Sequence, residues 1–279
     1  MDVGVSIFFT DYSITPAELA VALEERGFDS VWAAEHSHIP VPRKTRADQE
    51  LGKRYYDVMD PFVTLTAAAC ATKNLKIATG IALVIQRDTI QTAKLVASID
   101  QVSNGRFIFG IGGGWNQEEI ENHATVFKTR MQKMREQMEA MKAIWTQSKP
   151  EYHGEIVKFD TMMTWPKPVQ KPHPPIILGG AFPWAARRAV RYGDGWYPNA
   201  SSGEPEDYIP AFRQMVREAG RDPKSLSLRL GGAPDDPDKL KRYRELGVDA
   251  VNVTLMSDKR DDILPILDRW AKYIPQLKN

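Results

Sequence analysis

Along the whole chain, short apolar runs alternate with longer segments in which apolar and polar residues recur at helical spacing. "DVGVSIFF" (2–9), "DSVWAAEH" (29–36), "LKIATGIALV" (75–84) and "RFIFGIG" (106–112) read as strands. So do "PIILGG" (175–180), "DGWYPNA" (194–200), "LSLRLGG" (226–232) and "VDAVNVTL" (248–255). Helices are predicted between and after them: 15–27, 60–74, 88–105, around 129–147, 182–193, 204–220, 236–247 and 260–275. Boundary residues agree with this reading. Thr15 and Asp60 suit N-caps, Pro16 and Pro61 suit a first helical turn, and Gly27 suits a stop.

Strict alternation of eight strands with eight helices implies parallel pairing, because each strand returns through a helix. A single (β/α)8 TIM barrel over residues 1–279 fits this best, and a doubly wound open sheet is the alternative. Two stretches break the rhythm. Residues 37–59, after the second strand, are polar and rich in Arg and Pro; 149–175, before the fifth, read as a hairpin followed by a Pro-rich excursion. No linker or internal repeat divides the chain.

Composition narrows the function without naming it. The 279 residues are 42% hydrophobic and 26% charged, which suits a globular core large enough to need no disulfide or metal. The net charge is +1 with signs interspersed, which argues against nucleic-acid or membrane-surface partners. No apolar run approaches the roughly 20 residues of a membrane span, and "MDVGVSIFF" reads as a strand rather than a secretion signal. The one cysteine, Cys70, excludes an internal disulfide and reads as a small buried hydrophobe in a helix. The expected compartment is the cytoplasm.

In a barrel of this kind the chemistry collects at the carboxyl ends of the strands. Glu35, His36 and His38 follow the second strand, and Gly80 interrupts the third, which suggests a bulge or a close backbone approach. The fourth runs into Gly112, Gly113, Gly114 and Trp115, with Glu118 and Glu119 opening a short helix. The Rossmann pattern G-x-G-x-x-G fails there: its last glycine would fall at Trp115 counting from Gly110, or at Gln117 counting from Gly112. Gly179 and Gly180 precede a helix, so this turn is either a phosphate site, with Arg187 and Arg188 nearby, or simply a tight loop. His36 is either catalytic or bonded only to its neighbours. With His38 on the same face it could ligate a metal, but no third ligand clusters with the pair, so no metal is expected. His123, His153 and His173 read as structural or solvated.

Several separated segments carry a family resemblance: "GFDSVWAAEHSHIP", the run from "IATGIALV" to "GIGGGWNQEE", "FKTRMQKMREQMEAMKAIW", and "WPKPVQKPHPPIILGGAFPWAARRAVRYGDGWYP". Together they resemble the bacterial luciferase-like flavoprotein superfamily, most nearly its actinobacterial branch that uses the deazaflavin coenzyme F420. The resemblance implies a (β/α)8 barrel with a flavin-like ring in its mouth and a non-prolyl cis peptide, placed by motif position at Thr79–Gly80. It implies cofactor contacts from Glu35, Thr79 and Gly80, from Gly112 to Trp115, and from Gly179, Gly180 and Ala181, so the glycines admit a ring. It implies that His36 handles a proton near the hydride-transferring carbon. Sugar-phosphate dehydrogenases of that branch place a glutamate where this chain has Trp115, which could instead wall the ring. The basic residues Arg43, Lys44, Arg46, Lys53 and Arg54 form either a solvated loop or a lid that meets the anionic tail of F420. Homodimers are expected. The reading is hydride transfer between F420 and a small organic substrate. The alternatives are an FMN-dependent two-component monooxygenase and a cofactor-binding protein without turnover.

Overall fold

The computed structural model describes residues 1–41, 43, 50–198 and 203–278. Eight parallel strands close into a barrel. Round its circumference they run β1 (Asp2–Ile7), β10 (Ala250–Thr254), β9 (Ser227–Gly231), β8 (Gly195–Tyr197), β7 (Ile176–Gly179), β4 (Phe107–Ile111), β3 (Lys76–Thr79) and β2 (Ser30–Ala33). The open-sheet alternative is therefore excluded: β1 pairs with β10 through Asp2↔Ala250 to Ser6↔Thr254 and so closes the ring. The predicted hairpin in 149–175 is a two-residue pair, β5 (Tyr152–His153) against β6 (Lys158–Phe159).

The helices that return the chain are α1 (Pro16–Glu25), α2 (Pro61–Ala71), α3 (Thr89–Val102), α5 (Arg130–Thr146), α6 (Trp184–Tyr192), α7 (Pro205–Glu218), α8 (Pro237–Glu245) and α9 (Arg260–Ala271). The boundary signals act as read. Thr15 and Glu18 form a capping box on α1, Asp60 accepts N–H bonds from Phe62 and Val63 at the start of α2, and Gly27 ends the first turn with φ +76°. The short helix expected at Glu118 and Glu119 is α4 (Gln117–Asn122), while α10 (Ile274–Lys278) was not foreseen. Cys70 is a correction, because it stands on the exposed face of α2.

Alternation along each strand separates two interiors. Val3, Val5 and Ile7 of β1, Val31 of β2, Ile77 of β3 and Phe107, Phe109 and Ile111 of β4 join the core between barrel and helices. Each such side chain stabilises the fold by about 1.5–3 kcal/mol on burial. Trp32, Ala78 and Ile177 form a separate cluster with Ile108 and Tyr197 packed against it. This second interior is partly polar. Arg229 donates to Asn252 (2.8 Å), Asn252 donates to the Tyr197 hydroxyl (3.1 Å), and the Arg229 guanidinium lies 4.9 Å from the Trp32 ring centre. These groups plug the barrel, and the site opens above them.

Candidate active site

A cavity of about 540 Å³ sits at the carboxyl ends of the strands. Its walls include Glu35, His36, Gly80, Gly112, Gly113, Gly114, Trp115, Gly179, Gly180 and Ala181, all expected from the sequence. Bare backbone is needed because the space beside it is taken. A Cβ on Gly80 would stand 2.8 Å from Trp32 Cβ, and one on Gly179 would stand 2.8 Å from Ile81 Cγ2. At Gly112 and Gly113 it would overlap Ile81 and Met131.

Three expectations need correction. The non-prolyl cis peptide is Gly80–Ile81, one bond later than Thr79–Gly80. Thr79 is fully buried and turned away from the cavity, its hydroxyl donating to the Gly110 carbonyl (2.6 Å). The ladder ends at Thr79, so the side chain of that residue completes the barrel rather than the site. Gly180 does not offer its N–H to a ligand, because it donates to the Tyr197 carbonyl (3.1 Å).

Glu35 reaches the cavity but its carboxylate is engaged behind it. Oε2 accepts the Leu83 N–H (2.6 Å), and Oε1 accepts Arg87 Nε (2.7 Å) together with Arg87 Nη2. Arg87 also reaches Asp60, the cap of α2. Burial pushes the Glu35 carboxyl up, against the pull of Arg87. Glu35 thus holds the Leu83 backbone and Arg87 rather than presenting charge to a ligand.

His36 is nine-tenths buried, with Nδ1 2.8 Å from Oε2 of Glu119. Among the described residues its Nε2 has no hydrogen-bond partner, so that nitrogen is left for the cavity. Aromatic rings enclose the imidazole: Phe8 stacks at 6.5 Å, while Tyr55 at 5.4 Å and Trp115 at 5.6 Å meet it tilted or edge-on. His38 turns elsewhere, to Ser37 and Asn122. His123, expected to be structural or solvated, donates to or accepts from the same Ser37 hydroxyl at 2.7 Å.

The opposite end is basic. Arg188 lines the cavity and its Nε is buried with no hydrogen-bond partner among the described residues, while Arg187 lies over Trp184 instead. Arg130 packs on Phe127 and donates to the Gly113 carbonyl (3.0 Å). Burial, reinforced by Arg188, lowers the Arg130 pKa, and burial lowers that of Arg188. Arg188 thus brings a desolvated cation to the cavity wall, with Arg130 behind the Gly113 carbonyl. Of the basic insertion, Lys53 pairs with Asp57 (3.1 Å), and Arg54 lies over Phe8 and Tyr55. Lys44 and Arg46 lie outside the described residues.

Sequence reading missed Ser6, Phe8, Tyr55, Ile81, Met131 and Tyr197, which also line the cavity. Phe8, just past β1, and Tyr197, in β8, sit at strand ends and were findable by the rule that found His36. Tyr55 and Met131 come from a short 3-10 turn (Lys53–Tyr55) and from α5 and carried no such signal.

A closed (β/α)8 barrel with glycines, a buried histidine and an arginine around a cavity at its carboxyl rim has the layout of an enzyme site. The family model of luciferase-like monooxygenases matches residues 15–234, and the chain belongs to that family. An uncharacterised protein of Mycobacterium tuberculosis is 38% identical over 97% of this chain and 98% of its own length. The F420-dependent hydroxymycolic acid dehydrogenase of the same organism is 27% identical over 80% of this chain and 58% of its own. An FMNH2-dependent dimethylsulfone monooxygenase of Pseudomonas putida is 33% identical over 50% of this chain and 39% of its own. The fold matches that of a monooxygenase from Streptomyces bottropensis over the full length of both chains, with a TM-score of 0.80 at 17% identity. No helix among the described residues is long and apolar enough to cross a membrane.

Proposed function

We propose that this member of a flavin- and deazaflavin-using enzyme family transfers hydride between coenzyme F420 and a small organic alcohol or carbonyl compound. The observation that carries the reading is His36, held by Glu119 through Nδ1 with Nε2 left to the cavity, facing a floor of bare backbone. That arrangement suits a group that takes or gives the substrate's hydroxyl proton.

The residues present fit the cofactor. The cavity walled by Ile81 and by the backbone of Gly112 to Gly114, Gly179 and Gly180 has the volume for a flat ring, and the Nε of Arg188, without a partner among the described residues, suits an anion such as its phosphate. When bound there, the cofactor supplies the carbon that carries hydride. The chain supplies orientation, an aromatic enclosure of Phe8, Tyr55 and Trp115 that thins water around His36, and the proton-handling nitrogen. F420 is favoured over FMN because the F420-dependent relative aligns over 80% of the chain and the FMNH2-dependent one over 50%.

The test is a side-by-side titration of the protein with F420 and FMN, each oxidised and reduced, followed by fluorescence or calorimetry. Selective deazaflavin binding supports hydride transfer. Selective binding of reduced FMN overturns it in favour of a two-component monooxygenase, whose signature is oxygen consumption.

A further inference from the structure

We propose that Glu119 is the positioning residue of His36, holding the imidazole in the tautomer that keeps Nε2 a proton acceptor on the cavity wall. The proposal rests on the hydride-transfer reading above. Glu119 lies 83 positions along the chain from His36, in the short helix α4 that follows the glycine turn of β4. Its side chain is 1% exposed. Oε2 faces His36 Nδ1 at 2.8 Å, while Oε1 accepts the Ser37 backbone N–H at 3.0 Å. An ionised carboxylate has no proton to donate, so the hydrogen between them sits on Nδ1, and in the neutral imidazole the lone pair is then on Nε2.

The surrounding network keeps Glu119 an acceptor. Asn122 Nδ2 donates to His38 Nε2 (2.8 Å), which puts the His38 hydrogen on Nδ1. That Nδ1 donates to the Ser37 hydroxyl (2.9 Å), which is also hydrogen-bonded with His123 Nε2 (2.7 Å). The same hydroxyl lies 3.4 Å from Glu119 Oε1 and is placed to donate to it. Burial raises the Glu119 pKa, but His36 and the Ser37 N–H outweigh it and hold the carboxyl below its ordinary range. Behind this network lies a second cavity of about 420 Å³, walled by His36, Ser37, Gln86, Arg87 and His123 among others. When a proton arrives at Nε2, the ring stays hydrogen-bonded through Nδ1 to the Glu119 carboxylate and so keeps its orientation.

The experiment compares wild type, Glu119→Gln, Glu119→Asp and His36→Ala by 15N NMR of the histidines, with no ligand added, and by oxidation of reduced F420 with a series of short ketones and enones. Glutamine keeps the shape but presents an amide N–H that can bond Nδ1. The expected result is a switch of His36 to the Nε2–H tautomer, unchanged F420 affinity and turnover slowed about 100-fold. Glu119→Asp should recover part of the rate, and Glu119→Gln should cost nothing further in the His36→Ala background. An unchanged tautomer in Glu119→Gln, or an equal slowing with and without His36, overturns the proposal. The tautomer is read without substrate or cofactor. Full turnover by His36→Ala, or absence of deazaflavin binding, would therefore sink the hydride-transfer reading alone and leave the tautomer result to decide the role of Glu119.

Discussion

The side chain of Ile81 occupies the space that a β-carbon on Gly179 would need, 2.8 Å from its Cγ2, and its Cδ1 does the same at Gly112. One residue of the β3 bulge therefore depends on glycines at the ends of two other strands. Gly112→Ala would push a flexible side-chain end into the cavity, so the barrel should still form while ligand binding weakens by about ten-fold or more. Gly110→Ala differs, because its methyl would run into the backbone carbonyl of Thr79, which cannot swing aside. That variant should lose soluble yield and thermal stability. Titration with F420 and FMN beside melting curves separates the two, and equal binding by Gly112→Ala and wild type would refute the wedge.

His36→Ala removes the nitrogen without touching the floor. Cofactor affinity should stay within a few-fold while turnover slows about 100-fold. Lost binding with an unchanged residual rate would show that the ring packs the cofactor rather than handling a proton.

How far these features were legible depended on the kind of signal. The barrel was readable because each strand carries its own apolar run and several helices carry their own boundary residues, as Thr15, Asp60 and Gly27 show. His36 and the glycine floor were readable because they follow strands directly. The Glu119–His36 bond was not, since it joins residues 83 apart whose meeting depends on how β4 and α4 turn. Thr79 was misassigned because a one-residue shift along a strand reverses which way a side chain points. Arg130 carried no mark distinguishing it from the other basic residues of α5; only the fold sets its guanidinium beside the Gly113 carbonyl.

Arg188 makes the anion end testable apart from the ring. Arg188→Gln should weaken FMN about ten-fold, as loss of a hydrogen bond to a charged group would, and leave riboflavin, which lacks the phosphate, unaffected. Parallel titrations with the two flavins decide it. Equal losses for both would mean that Arg188 shapes the cavity instead of binding phosphate.

The basic insertion bears on cofactor choice. Reversing the charges of Arg43, Lys44 and Arg46 should weaken a cofactor with a polyanionic tail more than FMN, with the gap narrowing as salt rises. If both cofactors lose affinity alike, the insertion is not a tail site.

A buried carboxylate of α5 helps to hold the hairpin within 149–175, and this gives the stability a pH dependence of known sign. Glu136 of α5 is 2% exposed, and its Oε2 accepts the N–H groups of Ile156 (2.8 Å) and Val157 (3.0 Å). Burial works to raise its pKa, but those N–H groups and Gln132 outweigh it and hold it below the ordinary 4.5. A group whose folded pKa is depressed binds its proton more readily when unfolded. Its stabilisation is therefore complete above the unfolded value and is lost as pH falls through the folded one. Glu136→Gln should melt at a lower temperature than wild type at neutral pH, and the gap should shrink as pH drops below the carboxylate range. Hydrogen exchange at the amides of Ile156 and Val157 should quicken in the variant before the barrel amides change. A melting gap that stays constant into acid would show that packing, not the charge of Glu136, secures the hairpin.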